Sequence, residues 1–99
     1  MKSPQAIAQS LKDFIGKRFG CTEGKPNDIP YSLPYLVWMC DKIIENPQWE
    51  IDKSSRWIGY IQGVMVARFL TSVERERDRV RNIDDVEVGG EAVVITSKE

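Results

Sequence analysis

Glu74 and Asp78 stand four residues apart, the spacing that brings two carboxylates onto one face of a helix. Metal-dependent hydrolases of helical architecture use acids in this way, but they need several more inward carboxylates from neighbouring helices. Only Asp41 and Glu45 are candidates, and they are scattered. Glu74 also has a competing role, because Thr71-Ser72-Val73-Glu74 matches a capping box at the start of a helix. There is no histidine, which removes the usual general base, the His-dependent triads and the commonest metal ligand. Two cysteines, Cys21 and Cys40, are too few for a zinc site or a disulfide framework, and Cys40 falls among apolar residues at helical spacing. Gly59-x-x-x-Gly63 lies inside an apolar helical stretch rather than after a strand, so it is no phosphate loop. These residues predict a protein that is not an enzyme and has no catalytic residue, metal site or cofactor.

Binding chemistry is richer. Arg75, Arg77, Arg79 and Arg81 alternate with Glu74, Glu76 and Asp78. Alternation divides the arginines between two helix faces, and Glu74 with Arg77, Glu76 with Arg79 and Asp78 with Arg81 are spaced to pair at i,i+3. The expectation is a solvated, salt-bridged helix, with phosphate contacts by the four arginines as the alternative. The chain carries a net charge of −1, unevenly spread: Lys53 to Arg81 has seven basic and three acidic residues, and Ile83 to Glu99 has five acidic residues against Lys98.

These groups require scaffolding elements. In a 99-residue chain, 41% hydrophobic and 29% charged, there is room for one domain with a thin core. Ser3, Pro4 and Gly20 mark the ends of a first helix with Ile7, Leu11, Phe14, Ile15 and Phe19 on one stripe. Gly24, Pro26, Asn27, Asp28 and Pro30 mark a loop from Cys21 to Tyr31. A second helix starts near Ser32 and stops before Pro47, burying Leu33, Leu36, Val37, Cys40, Ile43 and Ile44. A third, capped by Asp52 or Ser54, runs to about Leu70 with Ile58, Ile61, Met65 and Phe69 on its core face. Gly59, Gly63 and Ala67 recur every fourth residue on another side. Two helix-interior glycines each cost about 1 kcal/mol, so close approach of another backbone is expected there, with this helix at the centre of the fold. Gln62 and Arg68 fall within the apolar arc. Either Gln62 bonds a loop backbone and Arg68 reaches a carboxylate, or both line a pocket or interface. A fourth helix follows the capping box to about Asn82.

The last segment changes period. Val86-Glu87-Val88, Gly89-Gly90, then Glu91 to Thr96 reads as a β-hairpin with Val86, Val88, Val93 and Ile95 on one face. A lone hairpin is marginal in water, so it must pack on the helices or on a partner. The fold expected is a mainly α bundle of three to four helices over residues 1–82, with a hairpin or tail over 83–99. No secretory leader is read at the start. The most apolar stretch, Trp57 to Leu70, falls short of the roughly 20 apolar residues of a membrane span. A cytoplasmic protein without a membrane partner is expected.

Arg56-Trp57-Ile58-Gly59-Tyr60-Ile61-Gln62-Gly63-Val64 resembles an R-W-[IL]-G-[FY]-[IV]-Q-G-[VM] signature of short, functionally unassigned proteins of tailed bacteriophages. In that group a T-[IV]-E-E-like helix start often follows, here Thr71 to Glu74. The resemblance covers Leu33 to Arg81 and implies phage or prophage origin and a helical core, without an activity. Such proteins, made in host cytoplasm, commonly act by binding a host protein. The expected function is therefore non-catalytic binding and modulation, as an inhibitor, of a host protein. The candidate contact residues are Tyr60, Gln62, Arg68, the four arginines Arg75, Arg77, Arg79 and Arg81, and the hairpin residues Val86, Val88, Val93 and Ile95. Self-assembly through the hairpin and nucleic-acid regulation through the arginines are the alternatives.

Overall fold

The computed structural model describes residues 2–81, which form four helices: α1 (Pro4–Phe19), α2 (Leu33–Glu45), α3 (Ile51–Ala67) and α4 (Val73–Val80). The described residues are mainly α with no strand; the expected hairpin, with Val86, Val88, Val93 and Ile95, lies outside them. No helix among the described residues is long and apolar enough to cross a membrane.

Local chemistry sets the ends of α1 and α2. Ser3 accepts a hydrogen bond from the Ala6 N–H at 3.1 Å, and Gly20 closes α1 at φ 74°, which needs no Cβ. Ser32 caps α2 by accepting from the Tyr35 N–H, and Asn46 ends that helix by donating from Nδ2 to the Lys42 carbonyl at 2.7 Å. α3 begins earlier than the expected caps: Glu50 is its N-cap residue and makes no side-chain cap bond. Asp52 and Ser54 are inside the helix, and Ser54 is buried with its Oγ unpartnered.

The core joins Ile7, Ala8, Leu11 and Ile15 of α1 to Leu36, Val37, Met39, Cys40 and Ile43 of α2 and to Ile58, Ile61 and Met65 of α3. α1 packs chiefly on α2, and it also touches α3 and α4. The central element is thus α1 rather than α3, because its stripe has no bulky polar interruption and can serve several neighbours. At one rim, Trp57 sits between Trp38 and Trp49, its ring centroid 6.1 and 4.8 Å from theirs, and Lys53 Nζ lies 3.9 Å above the Trp49 ring.

The close backbone approach expected at Gly59, Gly63 and Ala67 is not made by any described residue. All three are exposed, and a Cβ added to Gly59 or Gly63 would meet nothing within 4 Å. The tight glycine is Gly24. A Cβ there would overlap the backbone N and Cα of Trp38, and the next residue, Lys25, donates its N–H to the Pro34 carbonyl at 2.9 Å. Gly24 therefore lets the 21–32 loop lie directly on α2.

Candidate interaction surface

The turn between α3 and α4 is built around an uncommon backbone. α3 ends at Arg68, Phe69 takes φ 60°, and the Leu70 N–H donates back to the Met65 carbonyl at 2.8 Å. This is a Schellman-type closure, whose left-handed position is usually glycine. Leu70 then turns inward against the core, which sends Phe69 outward. Phe69 was expected on the core face of α3; it is instead 92% exposed, because the helix stops two residues before it. A bulky residue at positive φ is strained, and here burial gives almost nothing back.

A second exposed segment is tied to this turn. Asn27 accepts from the Ile29 N–H at 2.8 Å, and the Ser32 N–H donates to the Ile29 carbonyl, forming a compact turn. Tyr60 Oη donates to the Pro30 carbonyl and Arg68 Nη1 to the Tyr31 carbonyl, both at 2.8 Å. Arg68 thus anchors Tyr31 beside the residue that precedes Phe69. Ile29, Tyr31, Tyr60, Phe69 and Val73 all stay exposed on these segments. Clustered exposed hydrophobic residues on a small protein mark interaction sites more often than a single one does.

The polar groups of α3 and α4 turn mostly inward. Glu76 is buried. Its carboxylate accepts from Gln62 Nε2 at 3.2 Å, Thr71 Oγ1 at 2.8 Å, and Arg79 Nε and Nη2 at 2.8 Å each. Arg79 Nη1 continues to Ser10 Oγ on α1 at 2.8 Å. Burial alone would raise the Glu76 carboxyl, but the Arg79 and Thr71 hydrogen bonds, the Arg79 charge and the Gln62 amide outweigh it and hold it below its ordinary value. The network replaces the apolar seam that α4 lacks. It also reverses the expectation for the two polar residues of α3: Gln62 meets a carboxylate, and Arg68 meets a loop backbone.

The arginines do not share one environment. Arg79 is buried against Glu76, Arg75 lies over the Phe14 ring at 5.3 Å, Arg77 is exposed, and Arg81 pairs with Asp78 at 3.5 Å. Phe14 also receives Arg79 at 4.9 Å and Arg18 at 5.9 Å. The helix was expected to be solvated and salt-bridged, packing only weakly. Its Glu76–Arg79 pair is instead buried, since this is the face that meets α1 and α3. The capping box is also shifted by one residue: Ser72, not Thr71, caps α4 by accepting from the Arg75 N–H at 3.1 Å, and Thr71 serves Glu76. Glu74 and Asp78, the possible catalytic pair, are exposed.

The Cys40 thiol is pushed up to about 12 by burial, with the neighbouring Asp41 charge adding to it, so it stays protonated and a poor nucleophile. Among the described residues, no group of three or more Cys, Asp or Glu side chains is arranged to hold a metal ion.

Sequence reasoning missed the outward position of Phe69, the burial of Glu76 and the crowding at Gly24. Phe69 carried one faint signal: a capping box right after Leu70 demands a helix stop, and no glycine is there to make it. For Gly24 no local signal exists, since its need arises only from the α2 backbone beside it. No protein-family model, curated protein or solved structure matches this chain.

Proposed function

We propose that this chain is a phage or prophage protein that acts in the host cytoplasm by binding a host protein and inhibiting it, without catalysis. The observation that carries the binding reading is Phe69: a strained, 92% exposed aromatic on a turn closed by the Phe69 and Leu70 N–H bonds to α3 carbonyls. Strain kept at a surface position that stabilises nothing internally is a mark of a contact made elsewhere. Large aromatic side chains are also the residues that most often dominate an interface. Tyr31, held by Arg68, and Tyr60, bonded to the Pro30 carbonyl, widen the surface. The phage origin rests on the Arg56 to Val64 signature.

The test is affinity capture from bacterial lysate by the full chain, run beside Phe69→Gly. The expected result is a specific host protein retained by the first and lost by the second, whose activity falls when the full chain is added. Equal capture by both variants would remove Phe69 from the interface. Retention of no protein, with a shift of DNA at moderate salt, would replace this reading with the nucleic-acid one. Retention only of further copies of the chain would favour self-assembly.

A further inference from the structure

A groove of about 250 Å3 opens between the start of α1, the exposed side of α3 and the end of α4. Ile7, Ile51, Ile58, Gly59 and Val80 line it, and among the described residues Lys2 is the charged one in its lining. The volume falls below the roughly 300–1,000 Å3 of small-molecule pockets, and suits a few side chains of a peptide. We infer that this groove is the docking site of the chain's own C-terminal segment, residues 82–99, seated through Val86 and Val88.

Three observations converge on that occupant. Val80, in the groove wall, is followed at once by Arg81, where the described chain ends. The five steps from Arg81 to Val86 span up to about 17 Å when extended, so the first apolar pair of the segment reaches the groove without a long linker. Val86 and Val88 project to one side of an extended chain, and the groove offers isoleucine and valine to meet them. The approach is also complementary in charge: Asp84 and Asp85 precede Val86, and Lys2 stands on the rim. Gly59 supplies the remaining element. With no Cβ, and no described residue within 4 Å of where one would be, it leaves room for a second backbone to lie against α3.

The experiment is methyl and amide NMR on the full chain. Contacts are expected between the methyls of Val86 or Val88 and those of Ile7, Ile51 or Ile58. The amides of 86–88 should exchange at least tenfold more slowly than free peptide. Both should be independent of protein concentration. Gly59→Leu puts a side chain into the groove from an exposed helix position, so helix content should hold while contacts and protection vanish. Gly63→Leu, one turn further along and outside the groove lining, should leave both intact. Free-peptide exchange at 86–88 in the parent chain would overturn the assignment, as would protection that survives Gly59→Leu. Contacts seen only between labelled and unlabelled chains would assign the groove to a second copy instead.

Discussion

Replacing Phe69 by glycine should cost the protein little stability or make it more stable, although an aromatic ring is removed. The left-handed conformation costs a non-glycine residue roughly 1–2 kcal/mol, and Phe69 adopts it at φ 60°. Glycine removes that strain but widens the unfolded ensemble, which takes back about 0.5–1 kcal/mol. The lost burial is small. With 92% of the residue exposed, the hidden part of a side chain of 150–250 Å2 contributes about 0.3–0.5 kcal/mol. The net change runs from a loss of about 0.5 to a gain of about 1.2 kcal/mol, against the 3–5 kcal/mol lost when a core phenylalanine is truncated. Phe69→Ala is the partner measurement. It removes the same ring and keeps the strain, so alanine should be the less stable of the two, reversing the order found inside helices. Urea unfolding at constant m-value reads both, and each 1 kcal/mol corresponds to about 4–8 °C in Tm. A loss above about 2 kcal/mol for Phe69→Gly, or alanine proving more stable than glycine, would refute the account of this turn.

Three further outcomes test the remaining features. Gly24→Ala should destabilise by about 1–3 kcal/mol because its Cβ meets the Trp38 backbone, whereas Gly63→Ala should stabilise by about 1 kcal/mol; chemical denaturation of the two separates crowded from open glycine. Glu76→Gln should cost about 3 kcal/mol by leaving the Arg79 guanidinium buried without its charge partner. Because the Glu76 carboxyl is lowered from 4.5 on folding, its contribution is complete above the unfolded value and disappears as pH falls through the folded one. The stability of Glu76→Gln should therefore fall less steeply below about pH 4.5, and an unchanged acid slope would exclude Glu76 as a source of acid sensitivity. Cys40 is fully buried and Cys21 is not, so an aromatic disulfide reagent at pH 8 should titrate one thiol in the native protein and two in denaturant.

Much of the helical frame was legible because its signals are local. Ser3, Pro4 and Gly20 bound α1 where expected, and Ser32 and Asn46 bound α2, since capping depends on residues within one turn. The α3 start was harder: no side chain caps it, and Glu50 holds the position only by backbone geometry. The small-residue spacing of Gly59 and Gly63 pointed to close packing, but spacing alone does not identify the face that a neighbour covers. Within the candidate surface, Arg68 was visible as an unusual residue in an apolar arc, and Tyr60 was named as a contact candidate. That both reach the 30–31 backbone depends on a loop thirty or more residues away, which periodicity does not encode. Glu76 was legible as half of an i,i+3 pair, but its burial follows from Gln62, Thr71 and Arg79 closing around it, with Arg79 in turn held by Ser10 of α1.

The Lys2 N–H donates to the Val80 carbonyl at 3.3 Å, so the two ends of the described chain lie side by side. That closure has a meaning during synthesis. At roughly 5–20 residues per second, the α1 start waits about 4–16 s for the strand of chain that completes it. Ser10 waits as long for Arg79. α3 is complete only for the last stretch of that interval, the roughly 0.6–2.4 s between Ala67 and Arg79, and in it α1, α2 and α3 can associate before α4 covers the remaining side of α1. Docking of α4, the last of the four helices to be made, is therefore the step that covers this flank of α1.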